Sequence, residues 1–155
     1  MDYRVKLDKV IKNGMELTEI SLPDVGKAIR QCLGKGMILN LSGPMGVGKT
    51  TLIKHILPEF SVTSPSFLHV LLYGENFAHI DSYTIKSEQA LAGLDLPNML
   101  ENRCLIFEWG ELFGEFLSNL DAEILEVKLS YSQENLDKDE DVILTDGQLR
   151  RFIFI

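Results

Sequence analysis

Residues 43–50 read Gly-Pro-Met-Gly-Val-Gly-Lys-Thr, and no other stretch restricts the possible folds of this chain so tightly. Gly43, Gly46 and Gly48 give a short backbone segment that can enter conformations closed to other residues and can be approached closely. Such a path lets successive backbone N–H groups point inward around a dense anion. The segment from Gly43 through Met45, Gly46, Val47 and Gly48 is therefore expected to wrap a phosphate tail. Lys49 adds a long cation and Thr50 a hydroxyl. The spacing G-x-x-x-x-G-K-T is the P-loop pattern, in which the lysine reaches the β- and γ-phosphates of a nucleotide and the hydroxyl ligates Mg²⁺.

The flanking sequence has the order that this pattern needs. Met37-Ile38-Leu39-Asn40-Leu41 is a short apolar run, as expected of a buried strand. Residues Thr51 to Leu57 have helical spacing and stop at Pro58. The helix would turn its positive N-terminal end toward the phosphates. The bland alternative is a glycine-rich turn ahead of an ordinary helix.

Elsewhere the pattern is mixed. Met15–Leu22 alternates like an edge strand, and Pro23 opens a helix with Val25, Ala28, Ile29, Cys32 and Leu33 on one face, closed by Gly34 and Gly36. After the polar loop 61–66, Phe67–Tyr73 and Phe77–Asp81 read as two strands of a hairpin turned at Gly74-Glu75-Asn76. A short helix follows, capped by Ser87 and ended near Gly93, then one helical turn at Pro97–Glu101. Cys104–Phe107 is an apolar strand, Glu111–Leu120 an amphipathic helix and Ala122–Tyr131 a half-exposed strand. Val142–Leu144 and Arg151–Ile155 read as two last strands around a turn at Asp146-Gly147. The expected architecture is α/β: a P-loop NTPase-like three-layer sandwich, with a central mixed sheet and helices on both faces, in a single domain over residues 1–155.

Bulk properties narrow the function classes. The chain has 155 residues, enough to bury a core, with 45% hydrophobic and 25% charged residues. No apolar run has the length of a membrane span, and the N-terminal residues lack the apolar core of a signal peptide. Cys32 and Cys104 lie in apolar surroundings and read as reduced buried thiols of a cytoplasmic protein; two cysteines and three scattered histidines do not read as a zinc site. A net charge of −8 argues against autonomous nucleic-acid binding, which needs a basic footprint, though not against work beside nucleic acid within a complex. The acidic run 137–141 is most simply a solvated loop.

Hydrolysis of a bound triphosphate needs a carboxylate near the metal and a group that orients water. Cys104-Leu105-Ile106-Phe107-Glu108 delivers a carboxylate to the end of a buried strand, where α/β sheets hold their ligands. Asp81 ends another apolar stretch. The plainer alternatives are a solvated strand-end residue for Glu108 and a turn-former ahead of Ser82-Tyr83 for Asp81. Trp109 is the only tryptophan, and packing competes with nucleotide stacking as its role. His69 and His79 read as strand histidines with local hydrogen bonds.

Taken in order, the P-loop, Val62-Thr63-Ser64-Pro65-Ser66-Phe67, His79-Ile80-Asp81-Ser82-Tyr83 and Ile106-Phe107-Glu108-Trp109 resemble the bacterial TsaE (YjeE) family of small P-loop ATPases, from about residue 20 to 130. The resemblance implies a part in making the threonylcarbamoyladenosine modification at position 37 of tRNA. It implies ATP and Mg²⁺ as cofactors and a TsaD–TsaB heterodimer as partner, with tRNA met only through the complex. By the same resemblance Lys49 would hold phosphates, Thr50 Mg²⁺, and Thr51 would lie near the α-phosphate. Glu108 would act at the metal and Asp81 as a catalytic or water-positioning carboxylate. Thr63, Ser64 and Ser66 would form a nucleotide-sensing switch loop, and Trp109 would lie near the nucleotide or the partner. This chain departs from the family in having Ser66 for Thr, Thr84 for Arg, Gly110 for Pro and Val47 for Ala.

Two other readings compete. A small-molecule P-loop kinase usually needs several arginines and a lid, and this chain has five arginines, two of them at its extreme C-terminus. A non-catalytic, nucleotide-dependent switch would use the loop at 63–67 alone. No guanine-reading motif is visible, so ATP over GTP rests mainly on the resemblance.

Overall fold

The computed structural model describes residues 22–65, 68–131, 142–145 and 148–154. These fall into two compact units: 22–32, 43–62 and 128–154 form one, and 33–42 with 63–127 form the other.

The second unit holds a mixed sheet. Its strands are β1 (Met37–Ser42), β2 (Val70–Tyr73), β3 (Phe77–Asp81) and β4 (Cys104–Glu108), in the order β2-β3-β4-β1. β3, β4 and β1 run parallel, and β2 pairs antiparallel with β3 as the expected hairpin. All five residues of β4 are buried, and the strand lies between β3 and β1; a parallel strand so placed reads as a continuous apolar run. The register Ala78↔Leu105 and Ile80↔Phe107 sends these four side chains to one face. There they form a core with Ile38, Leu91, Leu96 and Leu100. Each such large side chain contributes roughly 1.5–3 kcal/mol when fully buried. The opposite face of the same strands carries His79, Asp81 and Glu108, since Asp81 pairs with Glu108 and His79 with Ile106.

Short helices close this unit. Ser87 caps Glu88–Ala92, its hydroxyl accepting from Ala90 N at 3.1 Å. Leu96–Asn102 carries Pro97 in its first turn, where a missing N–H costs nothing. Arg103 then ties the hairpin turn down, donating to the Gly74 carbonyl at 2.7 Å.

In the first unit, α1 (Leu22–Cys32) packs on α2 (Lys49–Ile56) through Gly26, where an added Cβ would lie 2.5 Å from the His55 carbonyl carbon. Strands β5 (Val142–Thr145) and β6 (Gln148–Phe154) form an antiparallel hairpin.

Several expectations change. The strand predicted over Phe67–Tyr73 begins only at Val70, because His69 has φ 61° and Leu68 N bonds Pro65 O in a turn; Phe67 lies outside the described residues. The helix predicted over Glu111–Leu120 is a 3₁₀ turn at Gly110–Phe113 followed by α-helix only at Gly114–Ser118; the break falls at Phe113, whose φ −127° and ψ 32° lie outside the helical region. Cys32 is half-buried rather than buried, with its thiol on the Ala28 carbonyl at 3.5 Å, whereas Cys104 is fully buried. The last strand starts at Gln148, earlier than expected. Leu22 begins a helix instead of ending a strand; the rest of Met15–Leu22, the acidic run 137–141 and the turn at Asp146-Gly147 lie outside the described residues. Among the described residues, no helix is long and apolar enough to cross a membrane.

Candidate functional site

The loop that follows β1 has the conformation its glycines permit. Gly43, Gly46 and Gly48 sit at φ 143°, 77° and 107°. A Cβ at Gly43 would overlap the Leu129 carbonyl oxygen. Val47 is buried beneath the loop, with its N–H on Pro44 O at 3.2 Å, and Met45 is 65% exposed at the loop's tip. Gly48 precedes the first turn of α2 and has no side chain to cap it, so the first amides of the helix are not satisfied from that position. Lys49 is only 4% exposed. Its ammonium donates to the loop carbonyls of Gly43 at 2.7 Å and Pro44 at 3.1 Å, which holds the cation over the loop. Thr50 and Thr51 are half-buried in the first helical turn. A helix N-terminus, a glycine loop and a buried lysine together suit a phosphate chain.

The second group of residues lies at the ends of β3 and β4. Glu108 closes β4 at 4% exposure, and its Oε1 is 2.8 Å from His79 Nε2. Glu108 is thus not the solvated strand-end residue that was the plainer alternative. Asp81 is half-buried and bonded on both oxygens: Oδ1 accepts from Tyr83 N at 3.0 Å, and Oδ2 lies 3.5 Å from the Ser64 hydroxyl, at the long limit of a hydrogen bond. It therefore forms the turn into Ser82-Tyr83 and also touches the loop at 63–65. Thr63 of that loop is held through its backbone, donating to the Tyr73 hydroxyl at 3.2 Å and accepting from it at 3.3 Å. Ser66 lies outside the described residues. Trp109 takes φ 61° and packs on Tyr83, with ring centroids 5.1 Å apart. Thr84, where the family has arginine, places its hydroxyl 3.0 Å from His69 Nδ1. Gly110, where the family often has proline, donates its N–H to Asn40 Oδ1 at 3.0 Å.

Sequence reasoning placed His79 on a strand with a hydrogen bond but did not name Glu108 as its partner, and it gave Tyr73 and Asn40 no part in the site. His79 is fully buried and stacked on Tyr73, with centroids 6.3 Å apart and planes at 27°. The available signal was its place two residues before Asp81, which puts both on one face of a strand. Among the described residues, no three His, Cys, Asp or Glu side chains gather into a cluster that would cage a metal alone.

A buried strand, a glycine loop wound through left-handed backbone, and a helix begun by a buried lysine define a P-loop nucleotide-binding fold of the α/β NTPase-like class. Its fold matches the crystal structure of Bacillus subtilis YdiB with TM-score 0.52 and 24% identity, covering 85% of this chain and 79% of that one. The family model "Threonylcarbamoyl adenosine biosynthesis protein TsaE" matches residues 17–140, and the chain belongs to the TsaE family. Proteins named tRNA threonylcarbamoyladenosine biosynthesis protein TsaE are similar over much of their length. That of Mycobacterium bovis is 29% identical over 128 residues, covering 72% of this chain and 76% of the relative. That of Rickettsia felis is 29% identical over 119 residues, covering 72% and 68%.

Proposed function

We propose that this chain binds ATP with Mg²⁺ and hydrolyses it as a cytoplasmic subunit needed for the tRNA threonylcarbamoyladenosine modification, supporting turnover of a TsaD–TsaB heterodimer. The observation that carries this reading is the family match across residues 17–140. The relatives' names supply the pathway, and the residues supply the chemistry. Lys49 holds the phosphate tail from its seat over the loop, and backbone N–H groups of the glycine loop donate to its oxygens. By the resemblance, Thr50 and Glu108 would hold Mg²⁺, which would supply positive charge to the phosphate tail. Two protein ligands suffice, because this ion keeps several waters. Asp81 orients the attacking water, and its contact with Ser64 links it to a loop that responds to the nucleotide.

Hydrolysis by the chain alone is expected to be slow. Arg30 donates to Ile56 O at 3.2 Å and pairs with Glu59 at 2.8 Å, and Arg103 is bonded to the hairpin carbonyls. Both described arginine side chains are thus engaged structurally, and a cation that stabilises the transferring phosphoryl group would come from a partner. Such a group raises hydrolysis by roughly 10³–10⁵-fold where it has been measured. The deciding experiment measures phosphate release by the purified chain, alone and with its TsaD–TsaB pair plus tRNA. Stimulation by the pair that is lost in Lys49→Ala supports the reading. ATP binding with no response to the pair overturns the role in tRNA modification.

A further inference from the structure

His79 has no place in the chemistry described above, yet it is the most deeply buried titratable side chain beside it, at 0% exposure. Its Nε2 meets Glu108 Oε1 at 2.8 Å, and both buried side chains lie on the same face of their paired strands. An ionised carboxylate only accepts, so the hydrogen of this contact is then on Nε2. The other ring nitrogen, Nδ1, has no partner among the described residues. The ring is therefore held by two things: Glu108 at one edge and the Tyr73 ring against its face. Tyr73 is in turn pinned by two hydrogen bonds between its hydroxyl and the backbone of Thr63. A chain of contacts thus runs from the loop at 63–65, through Tyr73 and His79, to Glu108. Asp81 has a separate tie to the same loop at Ser64.

We infer that His79 is the positioning residue for Glu108, fixing its carboxylate through the Nε2 hydrogen bond, and that Tyr73 couples this pair to the backbone of Thr63. The inference rests on the proposed role of Glu108 in hydrolysis. His79 touches neither nucleotide nor water in this scheme. It holds the Glu108 carboxylate in one orientation through Oε1. Displacement of Thr63 would be transmitted to Glu108 through one aromatic contact and one hydrogen bond. A buried orienting partner of this kind typically changes activity by roughly 10–100-fold when removed.

The test uses three substitutions that separate shape from hydrogen bonding. In His79→Gln the side-chain amide reaches about as far as Nε2 and can still donate to Glu108. In His79→Asn the amide stops near the Nδ1 position, and in His79→Leu no donor remains. Phosphate release should fall roughly 10–100-fold in the Asn and Leu variants, with the affinity for ATP unchanged, and recover most of its rate in the Gln variant. In a Glu108→Gln background, His79→Leu should cost nothing further, because its effect runs through that carboxylate. A second readout needs no nucleotide: the ring-nitrogen NMR signals of His79 in the ligand-free chain should show Nε2 as the protonated nitrogen and shift on Glu108→Gln and on Tyr73→Phe. Equal losses in the Gln and Asn variants, additive losses with Glu108→Gln, or an Nδ1-protonated ring each overturn the inference. If Leu fails to fold, the Gln and Asn pair still decides. If Glu108→Gln alone leaves hydrolysis intact, the proposed role of Glu108 fails first, and the inference falls with it. Loss on Glu108→Gln with none on His79→Asn sinks the inference alone.

Discussion

Asn40 and Gly110 show how one residue can answer for another seventy positions away. Asn40 is 3% exposed in the middle of β1, and its carbonyl oxygen accepts from the Gly110 amide. A Cβ at 110 would overlap that oxygen. Proline at this position would lose the donor, leave a buried acceptor unpaired and collide with it. Gly110→Pro is thus expected to cost at least about 2 kcal/mol in chemical denaturation, from the unpaired acceptor and the overlap together. Removing the obstacle should relieve it: in Asn40→Ala the same Gly110→Pro change should cost markedly less. Equal costs in both backgrounds would show that the two residues do not interact. Neither residue announced this in the sequence. Asn40 stood inside an apolar run and was passed over as strand, because a buried side-chain amide is legible only once its partner is known. The glycine loop with Lys49 and Thr50 was legible as a pattern, since it lies within eight positions of the chain. Glu108 was legible as a strand-end carboxylate, but its histidine was not. The meeting depends on the register of β3 against β4, and periodicity does not specify register.

The contact between α1 and α2 sets two opposing effects against each other. Glycine within a helix is less favourable than alanine by about 1 kcal/mol, so propensity alone would make Gly26→Ala stabilising. The atoms that a methyl group would meet are His55 backbone atoms and its Cβ, at 2.5–2.6 Å, and backbone cannot swing aside. Overpacking of this kind costs roughly 1–3 kcal/mol, and the helices would have to separate. The expected result is a net loss of about 1–2 kcal/mol, read as a lower denaturation midpoint at unchanged slope. A rise in stability would mean that the helices tolerate a wider spacing. Of the α1 face read from the sequence, Val25 and Ile29 are buried, while Ala28 and Cys32 are only half-buried; Leu22, expected to end a strand, is buried in the helix too. Gly26 was invisible as a contact residue, because a pattern of apolar positions cannot mark the place where the absence of a side chain matters. The same limit explains β2. Phe67–Tyr73 alternates like a strand, yet the left-handed turn at His69 cuts it short, and no glycine or proline at 69 signalled the break.

For the whole chain, ligand binding and folding are one balance. A nucleotide that binds only the folded chain stabilises it by about 2.7 kcal/mol at a hundredfold excess over Kd. For a chain of this size, that amounts to roughly 5–10 °C in melting temperature. The expected outcome is such a rise with ATP and Mg²⁺, absent in Lys49→Ala. A full shift in the Lys49→Ala variant would remove Lys49 from the site. The net charge of −8 acts at this scale too. It repels the phosphates of RNA at long range, so in the proposed complex the burden of holding tRNA falls on partner surfaces.

Trp109 gives the molecule an optical property. It is the sole indole in the chain, it follows Glu108 directly, and it sits half-buried against the phenol of Tyr83. All tryptophan emission therefore originates one residue beyond the carboxylate strand. The intensity and colour of that emission report the polarity and motion of this single place, and the neighbouring phenol can feed it by energy transfer. The protein carries its own fluorophore where a rearrangement of β4 would first be felt, so stopped-flow mixing could follow the strand's response in real time with no label attached.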